Sequence, residues 1–451
     1  MSNLRAFGAR GDGQADDTAA LEHAIEQGDG RIRLPRGSYR ISRTIEIDVA
    51  ARGPVSIEGS GGTARIVMAA PGPALRLLGT HDGTGDPGTR SDSVRLQQRM
   101  PTISGLEITG EHPEADGIEL VGTMQPILTS LLIHGVRHGI RLHKRNRNVL
   151  INHCHLYNNT GIGIFFDEVN LHQVNITGNH ISYNRLGGIR LERSEVRNLQ
   201  ITGNDIEYNN HAEHGTEPEP TAEIYVDVSA AGASVNEVTV TSNTIQATPS
   251  EGGANIFIRD DQQQNLRPGL WTISGNIIGN QQNNIHLIGC RGMVISGNSI
   301  YSAANRNLLL EKCELVTIGN NNFRRHSPSL GSGVRLVDSS DCILNACSWL
   351  DDSEQGQASG ASLLELVRCQ RISVGHCQLL DGVPLGIDVV DSSWVTIANC
   401  LLTDRRSPPL AQHLVRFRGR GEANLLNGNQ LGSCQGEPTS LAASAGVIVR
   451  D

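Results

Sequence analysis

The chain reads as an all-β protein, a single-stranded parallel β-helix of about 12–13 coils closed at its start by a short capping helix. Three observations predict this. A short motif recurs from about residue 103, as in Ile176-Thr-Gly-Asn179-His-Ile181, Ile201-Thr-Gly-Asn204-Asp-Ile206 and Ile295-Ser-Gly-Asn298-Ser-Ile300. Its fourth residue falls at 106, 131, 154, 179, 204, 243, 276, 298, 321, 347, 377, 400 and 429, a mean spacing near 27. Around each marker the strands are short, alternate with period two and are rich in Ile, Val and Thr. A second strand follows roughly ten residues later in each unit, as in Gly139-Ile-Arg-Leu142 and Gly188-Ile-Arg-Leu191, with no helical stretch between. That excludes βαβ units, and a propeller blade needs about 40 residues. Stacked coils remain.

Residues 1–45 differ from the repeat and form an N-terminal capping segment, with 46–451 as one continuous β-helix domain. Asp16-Asp17-Thr18 precedes Ala20, Leu21, Ala24 and Ile25, which share one helical face, and Gly28 follows as the C-cap. Such a helix covers the open first coil, because the end of a solenoid must not expose its core. The stretch Asn3-Leu-Arg-Ala-Phe-Gly-Ala-Arg-Gly-Asp-Gly-Gln-Ala-Asp-Asp-Thr18, followed by Ile32-Arg-Leu-Pro-Arg-Gly-Ser-Tyr39, resembles the N-terminal segment of the pectate-lyase-like superfamily. These right-handed β-helix proteins include polygalacturonases, inulin fructotransferases and phage tailspikes. The resemblance covers some 40 residues and implies the right hand of the coil and a carbohydrate context, but no particular reaction.

Composition narrows the partners. The formal net charge is −9, which disfavours nucleic acid, and no run of 18 apolar residues reads as a membrane span. Arg outnumbers Lys by 36 to 2, leaving only Lys144 and Lys312. No basic-plus-apolar leader precedes Ser2, so the expected compartment is the cytoplasm, or the exterior if a leader has been removed. Cys154, Cys347, Cys377 and Cys400 fall in the Asn marker column, and Cys290, Cys313 and Cys369 share another. Columns repeated coil after coil predict stacked interior side chains, hence buried free thiols. No cofactor and no metal is expected. His211 and His214, on the Pro-rich insert His211–Pro220, lack further spaced ligands. The Gly-rich Gly79–Gly88 reads as a loop insertion.

The second strand of each unit gives the candidate site. Its inward pairs are Ile118/Leu120, Ile140/Leu142, Ile162/Ile164, Ile189/Leu191, Ile224/Val226, Ile256/Ile258 and Ile285/Leu287. Alternation then points a first column outward, Glu119, Arg141, Gly163, Arg190, Tyr225, Phe257 and His286. A second column reads Val121, His143, Phe165, Glu192, Asp227, Arg259 and Ile288, with Asp167 just beyond the strand. Later coils put Arg335, Asp388 and Arg416 in the first column. Four aromatic residues, Phe165, Phe166, Tyr225 and Phe257, are expected exposed on this face. Beside carboxylates and Arg they suit a sugar, whose ring faces stack and whose hydroxyls need polar partners. A solvated sheet face of mixed charge is the plainer alternative. The inserts at 211–220 and 246–253 would wall a cleft.

Glu192 and Asp227 occupy one column in successive coils, and neighbouring strands lie about 4.8 Å apart, which suits a retaining glycosidase pair. Asp167 paired with Asp227 spans two coils, nearer the separation that inversion needs. Crowding is expected to raise at least one carboxyl pKa, although Arg190 and Arg259 could instead neutralise the group as salt bridges. The favoured activity is therefore glycoside hydrolysis or intramolecular glycosyl transfer on an oligo- or polysaccharide. Glu192, Asp227 and Asp167 would be catalytic, with Arg141, His143, Phe165, Arg190, Tyr225, Phe257 and Arg259 binding sugar. A polysaccharide lyase or epimerase acting on an anionic glycan would use His143 or Lys144 as base, with Arg141 and Arg190 on the uronate carboxyl. A non-catalytic, spike-like glycan-binding module is the third reading. Fibres and fructotransferases on this scaffold form homotrimers and pectinases are monomers, so the resemblance leaves assembly open. The polygalacturonase signatures Asn-Thr-Asp and Gly-His-Gly and the epimerase Asp-Pro-His are absent, and Arg141-Leu-His-Lys144 only echoes Arg-Ile-Lys. No family catalytic residue carries over.

Overall fold

Short strands, most of them three to eight residues long and apolar at every second position, bury one side if they are stacked in register, and the computed structural model stacks them so. The structure describes residues 1–89, 91–210, 221–262, 267–325, 333–352 and 361–450. These fall into two compact units, one drawn from Met1–Thr216 and Ala222–Val238, the other from Glu217–Thr221 and Thr239–Asp451. Among the described residues the ladders between coils are parallel, and the fold is the predicted parallel β-helix.

One coil of the first unit shows the plan. Ile162–Thr177 runs over two faces, bending at Glu168 (φ 49°), and His180–Ser182 forms a third. Ile164 pairs with Ile189 and Ile176 with Ile201 in the next coil. Ile164, Phe166, Ile176 and Ile181 are fully buried. Each such side chain contributes roughly 2 kcal/mol, so a one-residue slip, which would turn them all to solvent, is strongly disfavoured. The second unit repeats the plan with Asn283–Ile288, Met293–Ser296 and Ser299–Tyr301.

The Asn marker is an interior ladder. The Asn276 amide donates to Asn298 Oδ1 and that of Asn298 to Asn321 Oδ1, each at 2.9 Å, while their second hydrogens reach backbone carbonyls. Cysteine fits the same column because Sγ reaches the same kind of carbonyl, as Cys347 does with Ile318 at 3.7 Å. Beyond the marker, by five residues in the first unit and by eight to twelve in the second, lies a second ladder that the repeat reading did not separate. Asn159, Asn184 and Asn209 form it in the first unit, and Asn255, Asn284 and Asn307 in the second. All nine cysteines are free and eight are buried. Burial pushes the thiols of Cys154 and Cys369 up to about 11 and that of Cys342 to about 12, so they stay protonated and inert. Serine completes the other cysteine column: Cys313 and Cys369 donate their backbone N–H groups to Ser339 and Ser392 hydroxyls.

The capping helix is Thr18–Gln27, with Ala20, Leu21, Ala24 and Ile25 buried against Leu4–Phe7 and the strand Ile45–Asp48. Its start is held by Asp16, which accepts the Thr18 N–H at 3.0 Å. Asp17 turns the other way and accepts from the Arg10 and Gly11 N–H groups. At Gly28 a side chain would fall 2.3 Å from the Ala24 carbonyl oxygen, which explains the glycine there. The insertion after Leu78 carries a helix, Asp92–Gln97, and lies over later coils: Arg145 and Arg147 donate to the carbonyls of Gly83 and Gly85. The segment 246–253 packs back on its own unit, with the Ser250 N–H donating to Gln281 Oε1 at 2.8 Å. His211, His214 and the insert that carries them lie outside the described residues.

Candidate functional site

Register decides which side chains share a face. Ile164, not Ile162, lies opposite Ile140 and Ile189, so the inward pair of that coil is Ile164/Phe166. A column of glycines precedes these isoleucines. A Cβ on Gly117, Gly139, Gly163 or Gly188 would come within 2.7 Å of a carbonyl oxygen in the next coil. The ladder sets Ile164, and with it Gly163, in that column, whereas a Cβ on Gly161 would meet the Arg137 carbonyl of the preceding coil, also at 2.7 Å. This shift corrects three expectations. Phe166 is an interior residue, Phe165 replaces Gly163 opposite Arg141 and Arg190, and Asp167 moves onto the strand.

The corrected second column of the first unit runs His143, Asp167, Glu192, Asp227, three carboxylates on consecutive coils. The first column runs Glu46, Arg76, Glu119, Arg141, Phe165, Arg190, Tyr225. Guanidinium groups interleave with these acids. Arg76 spans Glu46 and Glu119, and Arg141 spans Glu119 (3.0 Å) and Asp167 (3.0 and 2.5 Å). Arg193, at a corner with φ 50°, closes on Asp167 at 2.6 Å and Glu168 at 2.9 Å. Burial alone would raise the Asp167 carboxyl, but Arg141 and Arg193 outweigh it and hold the group below the usual carboxylate range. The expectation that crowding lifts a carboxyl therefore fails at Asp167, because cations separate the acids.

Glu192 Oε1 accepts from Arg190 Nε and Nη2 at 2.8 and 2.6 Å, and its other oxygen lies 3.5 Å from Arg193. Asp227 accepts from the Ser229 N–H at 2.9 Å and from the Tyr225 hydroxyl at 3.4 Å. His143 donates Nδ1–H to the Asp167 carbonyl at 2.8 Å, leaving Nε2 as its basic nitrogen. Lys144 is exposed at the following corner, with φ 59°.

The aromatic residues are not exposed as the alternation predicts: Phe165, Tyr225 and Phe257 keep 8%, 6% and 5% of their surface. An outward side chain on a stacked coil is covered by the same position of its neighbours. His138 packs 5.2 Å from Phe165, and the Arg190 guanidinium lies 4.7 Å over the Tyr225 ring. In the second unit His286 stacks on Phe257 at 4.6 Å, and Arg259 pairs with Asp261. The first unit thus gathers Arg141, His143, Phe165, Asp167, Arg190, Glu192, Tyr225 and Asp227 on one face, while Phe257 and Arg259 belong to the second. Two participants escaped the sequence reading. Glu223 is a fully buried carboxylate that accepts the Asn209 N–H at 2.8 Å and ends an Asn ladder. His138 accepts the Ile162 N–H on Nδ1 at 3.2 Å, and burial holds its imidazole down at about 4. The second Asn column and the Gly-Ile dipeptides were the available signals for both.

Coils, ladders and a charged outer face define a class, the parallel β-helix repeat proteins. The model of the family described as right handed beta helix region matches residues 88–266 and 254–431, and the chain belongs to that family. A second model, rhamnogalacturonase A/epimerase, pectate lyase-like, matches residues 1–77. No curated protein matches the chain. Among solved structures, pre-mature gene product 12 of bacteriophage phi29 is similar at a TM-score of 0.57 and 11% identity, over 97% of this chain and 66% of that one. The tailspike protein gp49 of Pseudomonas phage LKA1 is similar at 0.50 and 13%, over 97% and 84%. The Dettilon tailspike protein gp208 is similar at 0.50 and 14%, over 99% and 68%. At these identities the likeness is one of fold.

Proposed function

We propose that the protein is a carbohydrate-active enzyme that cleaves or transfers a glycosidic bond of an oligo- or polysaccharide on the charged outer face of its first unit. The observation that carries this reading is the register of Glu192 and Asp227, one coil apart in one column, about 4.8 Å between strands. A retaining mechanism needs two carboxyl groups about 5 Å apart, one ionised and one able to give a proton. Glu192, oriented by the two Arg190 hydrogen bonds, acts as nucleophile and later as base. Asp227, opposite it in the next coil, takes the acid role. Asp167, held by two guanidinium groups, positions Arg141 and Arg193 rather than exchanging a proton. The match of residues 1–77 to the rhamnogalacturonase A/epimerase, pectate lyase-like model is consistent with a glycan ligand.

Incubation with a panel of neutral and acidic polysaccharides tests the reading. New reducing ends, lost by at least a hundredfold in Glu192→Gln and in Asp227→Asn while both variants keep their melting temperature, support it. Full turnover in either variant overturns it. A second reading, β-elimination or epimerisation at a uronate, is favoured by one observation, the His143 ring oriented by its Nδ1–H bond to the Asp167 carbonyl, two residues along the strand from Arg141. Unsaturated products that vanish in His143→Gln would select it.

A further inference from the structure

The charged columns of the two units differ in balance. In the first, Glu46, Glu119, Asp167 and Glu192 face four arginines, Arg76, Arg141, Arg190 and Arg193. In the second, the register Arg335, Glu365, Asp388, Arg416 builds two Arg–carboxylate–Arg groups. Glu365 lies 3.1 Å from Arg306 and 3.5 Å from Arg335, and Asp388 lies 2.9 Å from Arg416 and 3.1 Å from Arg418. Among the described residues these four guanidinium groups pair with two carboxylates, with Glu311 a further acid near Arg335, so positive charge is in excess here although the chain's formal net charge is −9. These side chains line a cavity of about 300 Å³. Arg306 is 9% exposed, yet among the described residues its Nε has no hydrogen-bond acceptor, while Nε of Arg335 has only the 3.5 Å approach to Glu365. A buried donor left unmet is costly, and an acceptor entering the cavity would satisfy it.

We propose that this cavity binds an oxyanion carried on a sugar, a carboxylate or a sulfate. Guanidinium forks match planar oxyanions through paired hydrogen bonds, and the surplus charge supplies the attraction that a neutral sugar would not use. Val367, Pro384 and Val390 give the apolar wall a pyranose ring needs, and Ser362 and Gln412 face its hydroxyls. The volume lies at the small end of ligand pockets, so one acidic residue is held rather than a long segment. Asp388 stays ionised: burial raises its carboxyl, but Arg416 and Arg418 outweigh that and bring it below the usual range, so it fixes both forks in place. The site does not depend on the glycosidase reading, since its residues and that pair lie in different units.

Calorimetric titration of the full chain with an oligogalacturonate, a sulfated galactan oligosaccharide, a neutral galactan oligosaccharide and inorganic sulfate at matched ionic strength tests this. One or both charged saccharides are expected to bind at least tenfold more tightly than the neutral one, and which of them does identifies the oxyanion. Arg335→Gln and Arg418→Gln, whose side chains are 39% and 52% exposed and thus dispensable to the core, should each weaken binding at least fivefold. Arg371→Gln, whose side chain is 53% exposed and outside the cavity, should leave it unchanged, which separates the cavity from surface arginines in general. Equal affinity for the neutral saccharide, no effect of either Arg variant, or inorganic sulfate binding as tightly as the saccharides (an adventitious ion only) would each overturn the proposal.

Discussion

His138 accepts a backbone N–H on Nδ1, so its folded form is the neutral tautomer with the proton on Nε2. Burial lowers its pKa from 6.5 to about 4, and His81, under the insertion after Leu78, is lowered to about 4 in the same way, with Arg147 and Arg145 adding to the effect. A depressed pKa means the unfolded chain takes up the proton first. The stability these imidazoles contribute is complete above pH 6.5 and is lost as pH falls through about 4. Denaturant melts at successive pH values should therefore show a decline beginning near pH 6.5, roughly 2–3 kcal/mol of it due to His138. His138→Gln, which keeps an acceptor, should flatten that part of the profile. Asp167 acts in the next window: its pKa lies below 3.8, so its contribution is full above that value and fails only in stronger acid. Neither the imidazole environment nor the clamp on Asp167 was readable from sequence neighbours, because the groups responsible sit a whole coil away.

Within a strand, the information lies in columns rather than in motifs. Asn298 accepts from both the backbone and the side chain of Asn276 and donates to Asn321 and to the Ile273 carbonyl. Asn298→Ala would strand these buried partners and should cost about 2–4 kcal/mol. Asn298→Cys should cost about half as much, because cysteine already occupies this column at 154, 347, 377 and 400 and its Sγ still meets a carbonyl. Equal denaturation midpoints for the two variants would contradict the ladder account. The marker column was legible because hydrogen bonding between stacked amides demands the same residue type in every coil. The choice of Ile164/Phe166 rather than Ile162/Ile164 as the inward pair was not, since Gly161-Ile162 and Gly163-Ile164 satisfy the alternation equally. Both glycines approach a carbonyl at 2.7 Å, Gly163 that of Gly188 in the next coil and Gly161 that of Arg137 in the preceding one, so only the assembled ladder tells them apart.

Across the molecule, nine cysteines without a disulfide make a simple forecast. A thiol reagent should label about one site quickly in the native protein, Cys434, the single cysteine that is not buried, and nine after unfolding. A reductant should leave the melting temperature unchanged. Loss of stability on reduction would mean that cysteine pairs exist that the structure does not contain. Free thiols were foreseeable because a residue stacked on its like in an interior column has no room to turn toward a partner.

Period, strand alternation, the interior columns and the N-terminal cap were fixed by local demands that recur in each coil, and such demands leave their mark at regular spacing along the chain. The fate of the outward side chains was settled by stacking. Tyr225 lies under Arg190, Phe165 beside His138 and Asp167 between two guanidinium groups because residues 25 or more positions away meet them across one coil spacing. Alternation assigns a side chain to the outer face, but whether it meets solvent, a ring or a counter-charge depends on the length of each intervening turn, and that is a property of the assembled coils.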